Sequence, residues 1–433
     1  MPCFVQSQPS AIQSWIQSHH LPFPIAQKDS AVFAQQFKDK RIVAIGEATH
    51  GSSEIFSVRN SLTQYLIEHQ GFNRVAVEAP MTEVEAINRY ILGLSADTVP
   101  QMKYFCYTAS TTEEMKTLVE WLRQYNQTHH SKVQLFGIDI TMPVSVAKNV
   151  RSFFAQYKPD AVSIADSAYS WYATPTSTER AMLQTIVGLS SERLPILQQY
   201  QKKADFVYQY LKEIAPVTTC PKEEFAWVLK NAEIMSLCIR NISLLHSSIR
   251  KGYDKDNLRD SGMAENARWI LESDSLQRNK LIIFGHNAHT NFGFQEYGEQ
   301  PAMGEYLKKW YRNAFYTIAT GFYRGSANVW VEVLENKVRK SKLLPKEIPQ
   351  AQKYSLEWYC HQVGIKSGVL LISDPLLPKN IKKYLSRPQN LHSVGATMDT
   401  GLEFFTPRNS FDAFLFIDTV SASQMLPAEL RQW

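Results

Sequence analysis

Four short apolar runs in this chain each stop on a titratable residue. Arg41–Ile45 stops at Gly46, and Glu47 and His50 follow at once. Arg74–Val77 stops at Glu78, and Val133–Ile138 stops at Asp139. Lys280–Phe284 runs into Gly285, His286, Asn287, Ala288 and His289. Helical patterns separate the first three runs, and strand–helix alternation over residues 41–139 implies right-handed βαβ units and a parallel sheet. Ligands bind such sheets at the C-terminal ends of the strands. The expected fold is therefore α/β, with a mostly parallel central sheet flanked by helices. Glu47, His50, Glu78, Asp139, His286 and His289 then converge on one rim, and a helix after Gly51 carries Arg59 beside them.

Local signals outline the rest. Residues 10–19 and 30–38 read as short helices ahead of the first strand. Asn60–His69 continues the helix that carries Arg59, and Gly71 stops it. Thr111–Glu114 is a capping-box pattern for a helix reaching about Tyr125, and Thr176–Glu179 repeats that pattern. From Val144 to Asn266 the apolar spacing is helical throughout. Leu194, Leu197, Ala204, Val207, Leu211 and Ile214 mark one stripe. Val228, Ala232, Met235, Ile239, Ile242, Leu245 and Ile249 mark another, opened by Pro221 with Glu223 and Glu224 in its first turn. Strand signals return at Phe315–Ala319, Val329–Val333, Val369–Ile372 and Ala413–Ile417. The expectation is one domain over residues 1–433. Its α/β core comprises 35–143 and 267–433, and its helical insertion, 144–266, forms a wall or lid over a deep cleft.

Composition removes several function classes. A net charge of +5 in 433 residues is mild, and no concentrated basic stripe suggests a nucleic-acid partner. The densest positive stretch, Lys337–Lys346, reads as a solvated loop. Cys3, Cys106, Cys220, Cys238 and Cys360 are scattered, odd in number and without a CxxC, which suits a reducing compartment. No secretory signal and no bilayer-spanning run is visible, so a soluble, cytoplasmic protein without a membrane partner is expected. Oligomeric state is not legible. The aromatic groups Tyr104–Tyr107 and Tyr169–Tyr172 read mostly as core.

In these landmarks the chain resembles the erythromycin esterase family. The resemblance runs in order through GEATHG (Gly46–Gly51) with Arg59, VAVEA with Glu78, and FGID with Asp139. It continues through Arg259–Leu271, FGHNAH with His286 and His289, PAMGEYL (Pro301–Leu307), TGF (Thr320–Phe322) and FDAFLFID. It implies an α/β core with helical additions, a deep cleft, and no general need for a metal. Residues matching Glu47, His50, Arg59, Glu78, His286 and His289 cluster in that cleft, and the one matching His50 activates water on an ester carbonyl. The Gly-Ser-Ser run after His50 departs from the bulkier macrolide esterases, so ester or lactone hydrolysis transfers better than macrolide specificity.

Chemistry supports the same roles. His50 titrates in the right range to act as base, with Glu47 or Glu78 to orient it. Arg59 clamps a carboxylate or steadies an oxyanion. His286 or His289 donates to the oxyanion or protonates the leaving alcohol. Asp139, Arg259, Asp260 and Met303 are the expected substrate-binding residues, although Asp260 has an equal claim as the N-cap of a helix over Met263–Leu271. No GxSxG elbow is present, so direct attack by water is the simpler scheme. Two other readings stand beside it. Glu47-x-x-His50 and His286-x-x-His289 could ligate a divalent metal for hydrolysis, or the cleft could serve a non-catalytic binding or effector protein.

Overall fold

A computed structural model describes residues 10–25, 27–97, 99–170, 194–214, 220–251, 257–273, 276–293, 300–335, 338–397 and 404–430. The strands are β1 (Leu21–Pro22), β2 (Ile42–Glu47), β3 (Arg74–Pro80), β4 (Gln134–Asp139), β5 (Leu281–His286), β6 (Phe315–Glu335), β7 (Val338–Ile348), β8 (Ser367–Leu371), β9 (Gln389–Asn390), β10 (Phe404–Phe405) and β11 (Ala413–Val420). Nine of them form one sheet in the order β1-β8-β11-β6-β2-β5-β3-β4, with β7 paired to β6; β9 and β10 make a separate ribbon. Strands β4, β3, β5, β2, β6 and β11 are mutually parallel; β8 and β7 run antiparallel to them, and β1 pairs antiparallel with β8 at the edge. The expected mostly parallel sheet is therefore present.

Every residue of β2 and β5 is buried, as strands covered on both faces must be. One face packs against helices Ser53–Gln70, Met81–Ile91 and Glu113–Thr128, through Ile55, Leu62, Leu66, Val84, Ile87, Leu118 and Leu122. The other packs against Leu258–Glu272 and Met303–Tyr311, through Met263, Ala267, Ile270, Met303 and Leu307. The insertion divides in two. Helices Val146–Tyr157, Val162–Tyr169, Leu194–Glu213 and Lys222–Lys251 share an apolar core of their own. Helix Leu258–Glu272 straddles the expected boundary at 266 and belongs to the sheet's core.

Two local expectations are corrected. Phe315–Ala319 and Val329–Val333 are parts of one strand, β6, which runs on past the sheet. The Lys337–Lys346 stretch is not a loop between strands; from Val338 it is β7, antiparallel to the outer half of β6. Its charges hide a strand pattern, yet Arg339 meets Glu332 at 3.3 Å and Lys340 meets Glu335 at 3.2 Å across the ribbon. Such cross-strand pairs support the hairpin. The Thr176–Glu179 pattern lies outside the described residues. Among the described residues no helix is long and apolar enough to cross a membrane; Cys106, Cys220, Cys238 and Cys360 are buried, and none of the four is in a disulfide.

Candidate active site

Strand register assembles the rim. Strands β2 and β5 pair with Glu47 alongside His286, which brings a carboxylate and an imidazole together from distant parts of the chain. A register shift after Val77 interrupts the β3–β4 ladder at Glu78. Gly46 is required in β2, because a side chain there would strike Asn287 Oδ1 and Thr290 Oγ1. The chain then turns, and Ser52 caps the helix Ser53–Gln70, its hydroxyl accepting the Ile55 N–H.

That turn returns His50 to Glu47, with Nδ1 3.3 Å from Oε2. The other Glu47 oxygen accepts from Arg59 Nη1. Arg59 is 3% exposed. Its guanidinium lies between the rings of Phe56 and Phe284, 4.5 and 4.3 Å from their centroids, and Nη2 faces Met115 Sδ. Burial pushes Arg59 down to about 9, which still leaves it cationic at neutral pH. Arg59 is thus no surface salt bridge; it clamps Glu47 from inside the protein.

Arg259 is the hub of the opposite side. Its Nη2 lies 2.6 Å from Asp139 Oδ2 and 2.8 Å from Glu78 Oε1, and Nη1 lies 3.1 Å from His289 Nε2. Asp139 is wholly enclosed and accepts from the Tyr107 hydroxyl at 2.6 Å. Glu78 Oε2 accepts the His286 backbone N–H at 2.9 Å. Burial alone would raise Glu78, but His289 and then Arg259 outweigh it and hold the carboxyl below its ordinary range. His289 Nδ1 sits 2.8 Å from Asp260. Burial alone would lower this histidine, but Asp260 and then Glu78 raise it to about 9. Near neutrality it is an imidazolium, whose Nε2–H and the neighbouring Arg259 N–H both face Glu78 Oε1.

His286 differs from its neighbour. Burial, and next the approach of His50, push it down to about 3, so it is neutral. Its ring lies 5.1 Å from that of His50, centroid to centroid. Its Nδ1 accepts the Ala288 N–H at 3.3 Å, and Nε2 lies 3.0 Å from Ser393 Oγ.

The structure thus brings Glu47, His50, Arg59, Glu78, His286 and His289 together, with Asp139, Arg259 and Asp260 behind them. Two assignments change. Asn257, not Asp260, caps the helix Leu258–Glu272, and Asp260 instead takes His289 and the Met303 N–H, at 2.9 Å. The Met303 side chain is fully buried in the apolar core, so only its backbone serves the site. Asp139 likewise acts through Arg259. Sequence reading missed Ser393, Met115 and the Phe56–Phe284 sandwich, and it read the group that includes Tyr107 mostly as core; no local pattern marks any of them.

Glu47, His50, Arg59, Glu78 and Phe284 line a narrow hollow. It offers about 20 Å³ to the centre of a water molecule, enough for one. Among the described residues no three His, Cys, Asp or Glu side chains stand where they could hold a metal ion. Glu47 and Glu78 face guanidinium groups, and His289 Nδ1 faces Asp260.

Known proteins point the same way. A Bacillus cereus protein of solved structure superposes with a TM-score of 0.79 at 21% identity, covering 96% of this chain and 98% of its own. A structure titled an erythromycin esterase mutant, EreC, in its open conformation gives 0.71 at 15%, covering 93% and 96%. Both share the fold. In sequence, the chain is 27% identical to Erythromycin esterase type II of Escherichia coli over 344 residues, 74% of this chain and 80% of that one. It is 23% identical to a putative hydrolase, YbfO, of Bacillus subtilis over 354 residues, 76% of each. The erythromycin esterase family model matches residues 67–420, which include Glu78, Asp139, Arg259, His286 and His289. This chain therefore belongs to the erythromycin esterase family of hydrolases.

Proposed function

We propose that the protein hydrolyses an ester or lactone by attack of water, with His50 as general base. The observation that carries this is the Arg59–Glu47–His50 relay at a hollow with room for one solvent molecule. Glu47 holds His50 Nδ1, so the ring's other nitrogen is the one that takes a proton from water. Such a base contributes roughly 10²–10⁴-fold. The water oxygen bonds to the carbonyl carbon, and the carbon–oxygen bond to the leaving group then breaks. Arg259 and His289 supply positive charge for the oxyanion. His289, an imidazolium near neutrality, gives its Nε2 proton to the departing alkoxide, and the proton taken up by His50 then passes through solvent to His289, restoring both.

Charge balance favours this direction. The carboxylates of Glu47, Glu78, Asp139 and Asp260 face the standing cations Arg59, Arg259 and His289. A further positive charge on His50 matches the carboxylate left over. The hollow is too small for more than the water, so the substrate lies across the rim, where His50, Arg259 and His289 are partly exposed. The substrate panel includes macrolactones because of the Escherichia coli relative's name. A cytoplasmic location belongs to the same reading and is supported by Cys106, Cys220, Cys238 and Cys360, none of which is in a disulfide.

Mass-spectrometric screening of macrolides and simpler esters, with His50→Ala as control, tests the proposal. Addition of water to a panel member by wild type alone is the expected result. Equal turnover by the variant removes His50 as base, and no turnover of any panel member favours a binding role.

A further inference from the structure

The loop Leu391–Gly395 comes from the C-terminal third of the chain, yet it touches the rim through Ser393 and Val394, with His392 anchored behind them. The His392 N–H donates to Glu357 Oε1 at 2.9 Å. The Val394 N–H donates to the Ala48 carbonyl at 2.7 Å. Between them, Ser393 Oγ lies 3.0 Å from His286 Nε2 and 3.2 Å from the same Ala48 carbonyl. Ala48 stands between Glu47 and the turn that carries His50, so the loop ties that turn to the end of β5.

Hydrogen-bond direction around His286 follows from its partners. The Ala288 N–H can only donate, so His286 Nδ1 accepts and carries no hydrogen. A neutral imidazole then holds its hydrogen on Nε2. Ser393 Oγ accepts that hydrogen, and its own O–H donates to the Ala48 carbonyl. The donors and acceptors match along the whole line. Ser393 is 9% exposed and His286 is 4% exposed, so water is a poor substitute for the hydroxyl.

We propose that Ser393 is a positioning residue: the Ala288 N–H sets His286 as the Nε2–H tautomer, and Ser393 takes that hydrogen and holds the ring against which His50 works. This rests on the proposed role of His50 as base. With both nitrogens engaged, His286 neither gives nor takes a proton in the reaction. It presents an uncharged ring 5.1 Å from that of His50, and the proton to the leaving group is left to His289. Losing the hydroxyl takes this acceptor from the buried His286 Nε2–H, which is left to the Ala48 carbonyl alone of these two, and the ring shifts toward it.

The test compares Ser393→Ala and Ser393→Thr with wild type. Selective ¹⁵N-histidine labelling reads the His286 tautomer directly by NMR, with His286→Asn assigning the signals. Hydrolysis of a 4-nitrophenyl ester gives kcat and KM. The expected result is an Nε2–H signal in wild type and Ser393→Thr that does not titrate above pH 5, and a shifted signal in Ser393→Ala. Displacement of this kind lowers kcat by up to about 100-fold, with KM little changed and Ser393→Thr restoring most of the rate. An unaltered His286 signal in Ser393→Ala, or a wild-type signal belonging to the other tautomer, overturns the proposal. The spectrum decides this even if wild type turns over no ester, which would instead count against the proposed reaction.

Discussion

Glu47→Gln isolates the buried clamp. The substitution keeps shape and hydrogen-bonding atoms but removes the charge that faces Arg59. The guanidinium, 3% exposed and held between Phe56 and Phe284, is left without its carboxylate partner. Breaking a buried pair from one side costs about 3–5 kcal/mol. Because the Gln oxygen still accepts from Arg59, the low end, ~3 kcal/mol, is expected. Arg59→Met added to Glu47→Gln removes the stranded charge and places a flexible thioether between two rings, a favourable contact. Replacing a buried pair with apolar packing is often neutral, so the double variant should return to within ~1 kcal/mol of wild type. Urea unfolding of wild type, both single variants and the double variant measures the cycle. Arg151–Asp166, where both side chains are more than half exposed, is the control pair and should couple by no more than ~1 kcal/mol. Turnover should be low in Glu47→Gln and stay low in the double variant, since no carboxylate then faces His50 to stabilise its imidazolium. A loss below ~1 kcal/mol in Glu47→Gln, or a double variant no more stable than the single, would refute the clamp.

Other outcomes follow from the same geometry. His50→Ala should lower kcat by roughly 10²–10⁴-fold with an unchanged circular dichroism spectrum, because its side chain is one-quarter exposed and outside the core. His289 is raised to about 9, so the acid form is present below that pH. The rate should fall as pH rises through about 9, and Asp260→Asn, which removes the largest raising influence, should move that limb to lower pH; a limb that stays put removes His289 as the proton donor. The same shift contributes stability in full below the unfolded value near 6.5, and that contribution is lost as pH rises through about 9, so thermal melts should show the decline in wild type and not in His289→Phe. Dialysis against EDTA should leave the ester-hydrolysis rate unchanged, and a loss restored by a divalent ion would favour metal-assisted chemistry.

The sequence by itself determined what is local: strand ends, helix starts and the chemical kinds of residue at the rim. The apolar run before Gly46 buries on both faces because alternate residues of a central strand have nowhere polar to point, and the next helix is bounded by the Ser52 hydroxyl at its start and the left-handed backbone of Gly71 at its end. The gathering of Glu47, Glu78, Asp139 and His286 was legible because parallel strands all end on one edge. Tertiary structure decided the rest. Strand order put β5 between β2 and β3, so His286 lies beside Glu47. Packing enclosed Arg59 and, of the two roles open to it in sequence, set it to clamp a carboxylate, that of Glu47. The helix Leu258–Glu272 brought Asp260 to His289, and a distant loop brought Ser393 to His286. The hairpin of β7 forms on the edge offered by the outer half of β6, where its charges meet Glu332 and Glu335, and not from an apolar strand pattern of its own. These contacts join residues with no shared periodicity, and their geometry exists only once the sheet has closed around its core.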